Sequence, residues 1–250
     1  MADRINDFTI KLANYLFMLN EGRFTVSFSG LIAYLSLSLL TIGLHGPVKD
    51  SLLDCLNCNI SSSEISQTRN ILEDQCLNTF HMNEFLKIGS YKSAIFHSKK
   101  PLESFKQMAL EKYDTELKTF DGISNDLQLL KLNEWVRTLS DGPFPNIFIH
   151  PFKQELSLLI INDYLVQFQW RAGTKQRYNT KTIFTDIKGK SAKVVTMRII
   201  EYVKYLNDPL MKAEMVFIPL QEENIFASIV LPYNDSNIKD LLQSMNVYLL

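Results

Sequence analysis

The chain has 250 residues, 46% hydrophobic and 21% charged, with only 9 glycines and 8 prolines, which excludes a disordered or low-complexity polymer. Its formal charge of -1 at pH 7 leaves no electrostatic case for nucleic acid or an anionic membrane as a partner. At this length it is one large domain or two small ones.

The first residues, MADRINDFTIKL, have no apolar signal core. No signal peptide means a cytoplasmic chain on sequence alone, with the extracellular space as the alternative if the N-terminus is incomplete. Phe8, Leu12, Tyr15, Leu16 and Leu19 then recur at helical spacing behind Asn6, a cap residue, and Gly22 can stop that helix. A short strand, Phe24 to Phe28, runs into a second helix at Ser29. Its apolar residues lie on nearly all faces, so it is expected inside the protein. It is too short, and too broken by Ser36, Ser38 and Thr41, to span a membrane. Gly43 and Gly46 end it, and Pro47 opens a third helix, 49–56.

Segment 61–80 has cap residues at Ser61–Ser63 and a helical pattern. Phe85 to Phe96 alternates weakly, as a strand does, and Pro101 starts a helix carrying Phe105, Met108, Leu110 and Tyr113. A strand from Glu116 to Phe120 precedes the amphipathic helix 125–139, which Ser124 can cap. Leu156 to Trp170 is the most β-rich stretch. Leu156, Leu158, Ile160, Asn162, Tyr164, Val166, Phe168 and Trp170 share one side, apolar except for Asn162. A strand that long spans about 50 Å and reads as the spine of a large sheet. A lone amide on a core face costs a few kcal/mol unless hydrogen-bonded, so Asn162 implies a polar partner on a neighbouring element.

Beyond Trp170 the pattern is β. Phe184 and Val194 to Ile199 suggest strands around a turn at Lys188-Gly189-Lys190, and Met215–Leu220 with Ile225–Leu231 makes a hairpin. The cations between Lys175 and Lys193 are spaced among Thr and Asp, as on a solvated strand-and-turn face. Ser236 starts a last helix. A helical first half and a strand-rich second half make an α+β chain.

Enzyme signatures are missing: no G-x-S-x-G, H-E-x-x-H, P-loop or G-x-G-x-x-G. Cys55-x-x-Cys58 has no second half-site at zinc spacing, and His45, His81, His97 and His150 are scattered, so no metal or cofactor is expected. Asn59-Ile60-Ser61 and Asn234-Asp235-Ser236 are glycosylation triplets that also arise by chance.

Three stretches, taken together, resemble the serpin family of serine protease inhibitors. Phe28-Ser29-Gly30, the apolar helix to Gly43 and Leu52-Leu53-x-x-Leu56 look like its strand–helix–helix opening. Leu132-Asn133-Glu134-Trp135-Val136, then Gly142 and Phe144, is similar to its I-N-x-W-V helix and exit. Ile160-Ile161-Asn162, with Trp170 eight residues on, matches its central strand. Phe184, Lys193-Val194-Val195-Thr196-Met197 and Ile229-Val230-Leu231-Pro232 continue the match in order. The resemblance implies that Ser29, Asn162 and Trp170 occupy the sheet-opening positions, and that Asn133, Trp135 and Gly142 form the helix motif.

The chain also departs from the family's pattern. The family's Ser-Pro is Ser29-Gly30 here, a serine two positions further is Ile32, and F-K-G reads Val166-Gln167-Phe168. The match stops at the helix after the hairpin, so residues 1–250 are expected to be a single incomplete serpin domain, the N-terminal two-thirds of the fold. The reactive-centre loop would be absent. A serpin inhibits by offering that loop as bait and inserting it as a strand. The chain as written is therefore expected to be non-inhibitory, with a serine protease as partner by family only. The alternative is a binding module that recruits a partner, or itself, through unpaired sheet edges.

Overall fold

Strand β1, Gly89–His97, is buried on both faces from Ser93 to His97. A strand covered on both sides sits in the middle of a layered structure. In this computed structural model the described residues are 2–21, 25–58, 83–120, 124–139, 147–154, 156–173, 178–186 and 189–245. They fall into two units, one of residues up to 165 together with Met245 and one of residues 166–244.

The first unit opens with helices α1 (Ala2–Asn20), α2 (Gly30–Gly43) and α3 (Pro47–Cys55), then a single turn, α4 (Asn83–Leu86). After β1 come α5 (Glu103–Tyr113), β2 (Thr115–Thr119), α6 (Asn125–Arg137) and β3 (Leu158–Val166). The sheet order is β2-β1-β3. β1 and β2 are parallel, Ser93 opposite Thr115, joined through α5. β3 runs antiparallel to β1: Ser98 N–H reaches Ser157 O, and Ser93 reaches Asn162, so one number rises as the other falls.

Alternation along β1 separates two cores. Ala94 and Phe96 face α6 and pack with Leu132, Trp135, Val136 and Ile161. Ile95 faces the other way, with Leu35 and Leu39 of α2 and Phe105, Ala109 and Tyr113 of α5. Burying one such large side chain contributes about 1.5–3 kcal/mol. A third cluster, Phe8, Tyr34, Leu53 and Leu56 among others, joins α1, α2 and α3.

The second unit is mostly antiparallel β. β4 (Thr180–Thr185) and β5 (Ser191–Thr196) form a hairpin, and β6 (Lys204–Asp208), β7 (Ala213–Pro219) and β8 (Phe226–Pro232) form a sheet in that order, followed by α7 (Ile238–Ser244). Gly189 makes the first hairpin's turn at φ +76°, where a side chain would be strained. The spaced cations of this region, Lys181, Lys190 and Lys193 among those described, lie along that exposed hairpin.

Several boundaries differ from the sequence reading. Helix α1 begins before Asn6, and Thr25–Phe28 adopts no regular structure, since this stretch leads straight into the cap at Ser29. The long strand is nine residues rather than fifteen. Its ladder ends at Val166 because its partner β1 begins at Gly89, whose position lies against Leu165 O. β3 also borders the described sheet instead of forming its spine. Strand β6 was not anticipated from the sequence. The 61–80 helix and Gly142 lie outside the described residues.

Candidate functional site

The polar centre of the first unit forms where β1, β3 and α2 meet. Asn162 Oδ1 accepts from Ser93 Oγ at 2.9 Å, Ser36 Oγ at 3.2 Å and Tyr91 Oη at 3.4 Å. Ser36 has one hydroxyl proton and a nearer acceptor, Ile32 O at 2.9 Å, so it is shared between helix backbone and amide. Ser93 is buried and Tyr91 and Asn162 are half-buried. In such a setting each satisfied bond contributes about 0.5–1.5 kcal/mol, and an orphaned partner costs more. Burial pushes the Tyr91 phenol above its ordinary range, hydrogen bonds with Ser93 and Thr115 oppose that, and the charge of Asp114 adds to the rise. The group stays a neutral donor at physiological pH.

Ser29 is not one of these partners. Its Oγ accepts from Ile32 N at 3.2 Å and caps α2. The partners that sequence reasoning missed are Ser36, Ser93 and Tyr91. Ser36 read as a break in an apolar helix, although its helical offset from Ile32 puts it on one face with the sheet-facing side chains. Trp170 belongs to the second unit, where it bridges to Leu220 and packs edge-on to Phe168 at 5.0 Å between ring centroids.

Helix α6 clamps the chain that leads into β3. Asn133 donates from Nδ2 to Phe148 O at 2.9 Å and accepts from Phe148 N at 3.4 Å. Gln128 does the same to Leu156, at 3.1 and 3.0 Å. Asn125 Nδ2 reaches Phe152 O at 2.6 Å. Trp135 stands edge-on to Phe96, 6.0 Å between centroids, and its buried Nε1 has no partner among the described residues. These residues fix a strand against a helix and hold no nucleophile beside a base. No group of three or more His, Cys, Asp or Glu that could hold a metal occurs among the described residues, and none of their helices is long and apolar enough to cross a membrane.

A family model described as Serpin (serine protease inhibitor) matches residues 3–249. The chain belongs to the serpin family. Its serpin relatives include bovine (Bos taurus) Serpin A3-6, 24% identical over 212 residues, covering 83% of this chain and 50% of the relative. Intracellular coagulation inhibitor 2 of Tachypleus tridentatus is 18% identical over 248 residues, covering 97% and 59%. The chain thus spans about half to three-fifths of the length of these curated relatives. Among solved structures, human thyroxine-binding globulin superposes with a TM-score of 0.80 at 17% identity, covering 100% of this chain and 66% of that one. Mouse protein-Z dependent protease inhibitor gives 0.77 at 19%, covering 99% and 66%. At these identities the structures show a shared serpin fold, α+β, with helices and mixed sheets.

Proposed function

We propose that residues 1–250 are the framework of a serpin-type inhibitor of serine proteases, a single incomplete domain amounting to the N-terminal two-thirds of the fold. By themselves these residues are neither inhibitor nor enzyme. The family match over residues 3–249 carries this reading. The geometry agrees with it. One edge of β3 is held by β1, and Asn162 of β3 accepts from Ser93 and Tyr91 of β1 and from Ser36 of α2. The other edge of β3 pairs with no strand among the described residues, and an inserted loop strand would add there. No stretch of the 250 residues reads as a bait loop. A reducing compartment suits the free thiols of Cys55 and Cys58.

The test has two arms. Residues 1–250 alone, mixed with trypsin-, chymotrypsin- and elastase-like proteases, are expected to give no SDS-resistant complex. A chimera adding the C-terminal third of mouse protein-Z dependent protease inhibitor is expected to give one with that inhibitor's protease. A covalent complex in the first arm overturns insufficiency, and a folded chimera that is merely cleaved overturns the inhibitory framework.

A second reading, a binding module without inhibitory activity, is favoured by the exposed apolar side chains of the β4–β5 hairpin, Ile183, Phe184 and Val195. Capture of the same partner by the chain and by its isolated hairpin would support it.

A further inference from the structure

Where β1 leaves the sheet for α5, the first unit holds a cleft of about 220 Å³. Its floor and walls are apolar: Leu40 at the end of α2, Ile95 of β1, Leu102 and Phe105 of α5, Leu117 of β2 and Leu158 of β3. Gly43 helps to keep it open, since a Cβ there would lie 3.0 Å from the Phe105 ring. At its mouth stand two exposed lysines, Lys99 and Lys100, and the described lining carries no acid. Helix α5 begins at the same place with Leu102 as its N-cap, so no side chain caps its first-turn N–H groups. Those groups and the helix dipole favour an anion. His97, also in the lining, is buried, and its Nδ1 has no hydrogen-bond partner among the described residues.

We propose that this cleft binds a small amphiphilic carboxylate, with its apolar body against Phe105, Leu117 and Leu158 and its head between Lys99, Lys100 and the start of α5. The charge pattern chooses the class: an apolar cavity whose lining holds two cations and no acid, beside an uncapped helix start whose one first-turn acid, Glu103, is paired with Lys106 at 3.1 Å, fits an anion and disfavours a cation. Size limits the body. The cleft is smaller than pockets for drug-sized ligands, about 300–1,000 Å³. It exceeds the roughly 150 Å³ that accommodates benzene. A chain of about eight carbons or a single substituted ring fits between these limits. This site is independent of the sheet-opening residues and of any protease.

Octanoate, octanol and octylammonium are titrated separately into the 250-residue chain at low salt, by calorimetry. The His97 ring signals, assigned by comparison with His97→Gln, locate binding in NMR spectra. Octanoate is expected to shift the His97 signals and to bind at least about tenfold more tightly than octylammonium. Lys99→Glu with Lys100→Glu changes two exposed side chains and leaves the core intact, so it tests the head group without threatening the fold. It is expected to weaken octanoate at least about tenfold and octanol hardly at all. Gly43→Leu, which fills the cleft, should abolish both. Equal affinity for octanoate and octylammonium, indifference to the double substitution, or no shift at His97 up to about 10 mM octanoate would each overturn the proposal.

Discussion

Ser93 Oγ lies 2.9 Å from Asn162 Oδ1, so one hydroxyl on β1 and one amide on β3 tie two sheet strands from within their buried faces. The contact is polar in a layer whose neighbours, Ile95 and Ile160, are apolar. Replacing Asn162 with Leu removes the acceptor that the Ser93, Ser36 and Tyr91 hydroxyls share and leaves Tyr91 only its contacts with Ser93 and Thr115. The expected loss is about 1–3 kcal/mol by urea denaturation. Asn162→Asp keeps the acceptor and is expected to lose less. If the Leu variant were the more stable of the two, the cluster would not act as a tie between strands.

Gly30 and Thr9 make a second close approach. A Cβ on Gly30 would sit 1.8 Å from Thr9 Oγ1 and 2.6 Å from Thr9 Cβ, so α1 can lie this close to α2 only without it. Gly30→Ala is expected to cost about 1–3 kcal/mol through overpacking. Thr9→Ala relieves little, because the clash reaches Thr9 Cβ, whereas Thr9→Gly relieves most of it. A double-mutant cycle measures the coupling, and additivity within about 0.5 kcal/mol would mean that the helices separate freely.

Tyr113, at the end of α5, is buried, and that burial pushes its phenol up to about 12 from an ordinary value of 10.0. The folded state therefore holds the proton more tightly than the unfolded chain. Stability from this group is complete below pH 10 and is lost as pH rises from about 10 to 12, by about 2–3 kcal/mol in all. Denaturation at pH 8 and pH 11 checks this, with Tyr113→Phe as the variant in which that share of alkaline loss disappears. A wild-type chain and a Tyr113→Phe chain with equal pH slopes would show that the phenol ionises freely.

The clamp of α6 on residues 148–156 depends on amides that make paired bonds to backbone. Gln128→Leu leaves Leu156 N–H and C=O without their partner. Hydrogen exchange at Leu156 is expected to speed up by about tenfold or more while β1 amides stay protected, since local opening is separable from global unfolding. Uniform loss of protection would make the clamp part of the global fold.

The two cores differ in how far they could be read in advance. Asn162 stood out as one amide on an apolar strand face, and Ser124, Gly189 and the 213–232 hairpin carry local turn and cap chemistry that works without knowledge of the rest. The partners of Asn162 did not stand out. Ser36 interrupts an apolar helix in the sequence and completes a polar cluster in space, a fact set by the helix's rotation against the sheet. β1 looked weakly alternating because Lys92 and Ser93 interrupt it, yet it is the buried centre. β3 looked longer than it is because its own residues favour extension to Trp170, whereas its ladder stops where β1 starts. β6, Lys-Tyr-Leu-Asn-Asp, has charge at both ends and takes its form from pairing with β7.

The exposed side of β3 sets the last prediction. Among the described residues β3 pairs with β1 alone, and Leu158, Leu165, Val166 and Phe168 are exposed along and just beyond it. An apolar strand with free N–H and C=O groups is a template for another strand. Residues 1–250 prepared at about 10 μM should therefore elute as dimers or larger species by size exclusion with light scattering, a concentration at which edge pairing of micromolar affinity is populated. Val166→Lys places a charge on the edge without entering either core and should shift the population toward monomer. Single-strand peptides that pair with β3 should do the same by occupying the edge. A monomer that unfolds cooperatively and binds no hydrophobic dye would show that the edge is covered by the chain's own residues.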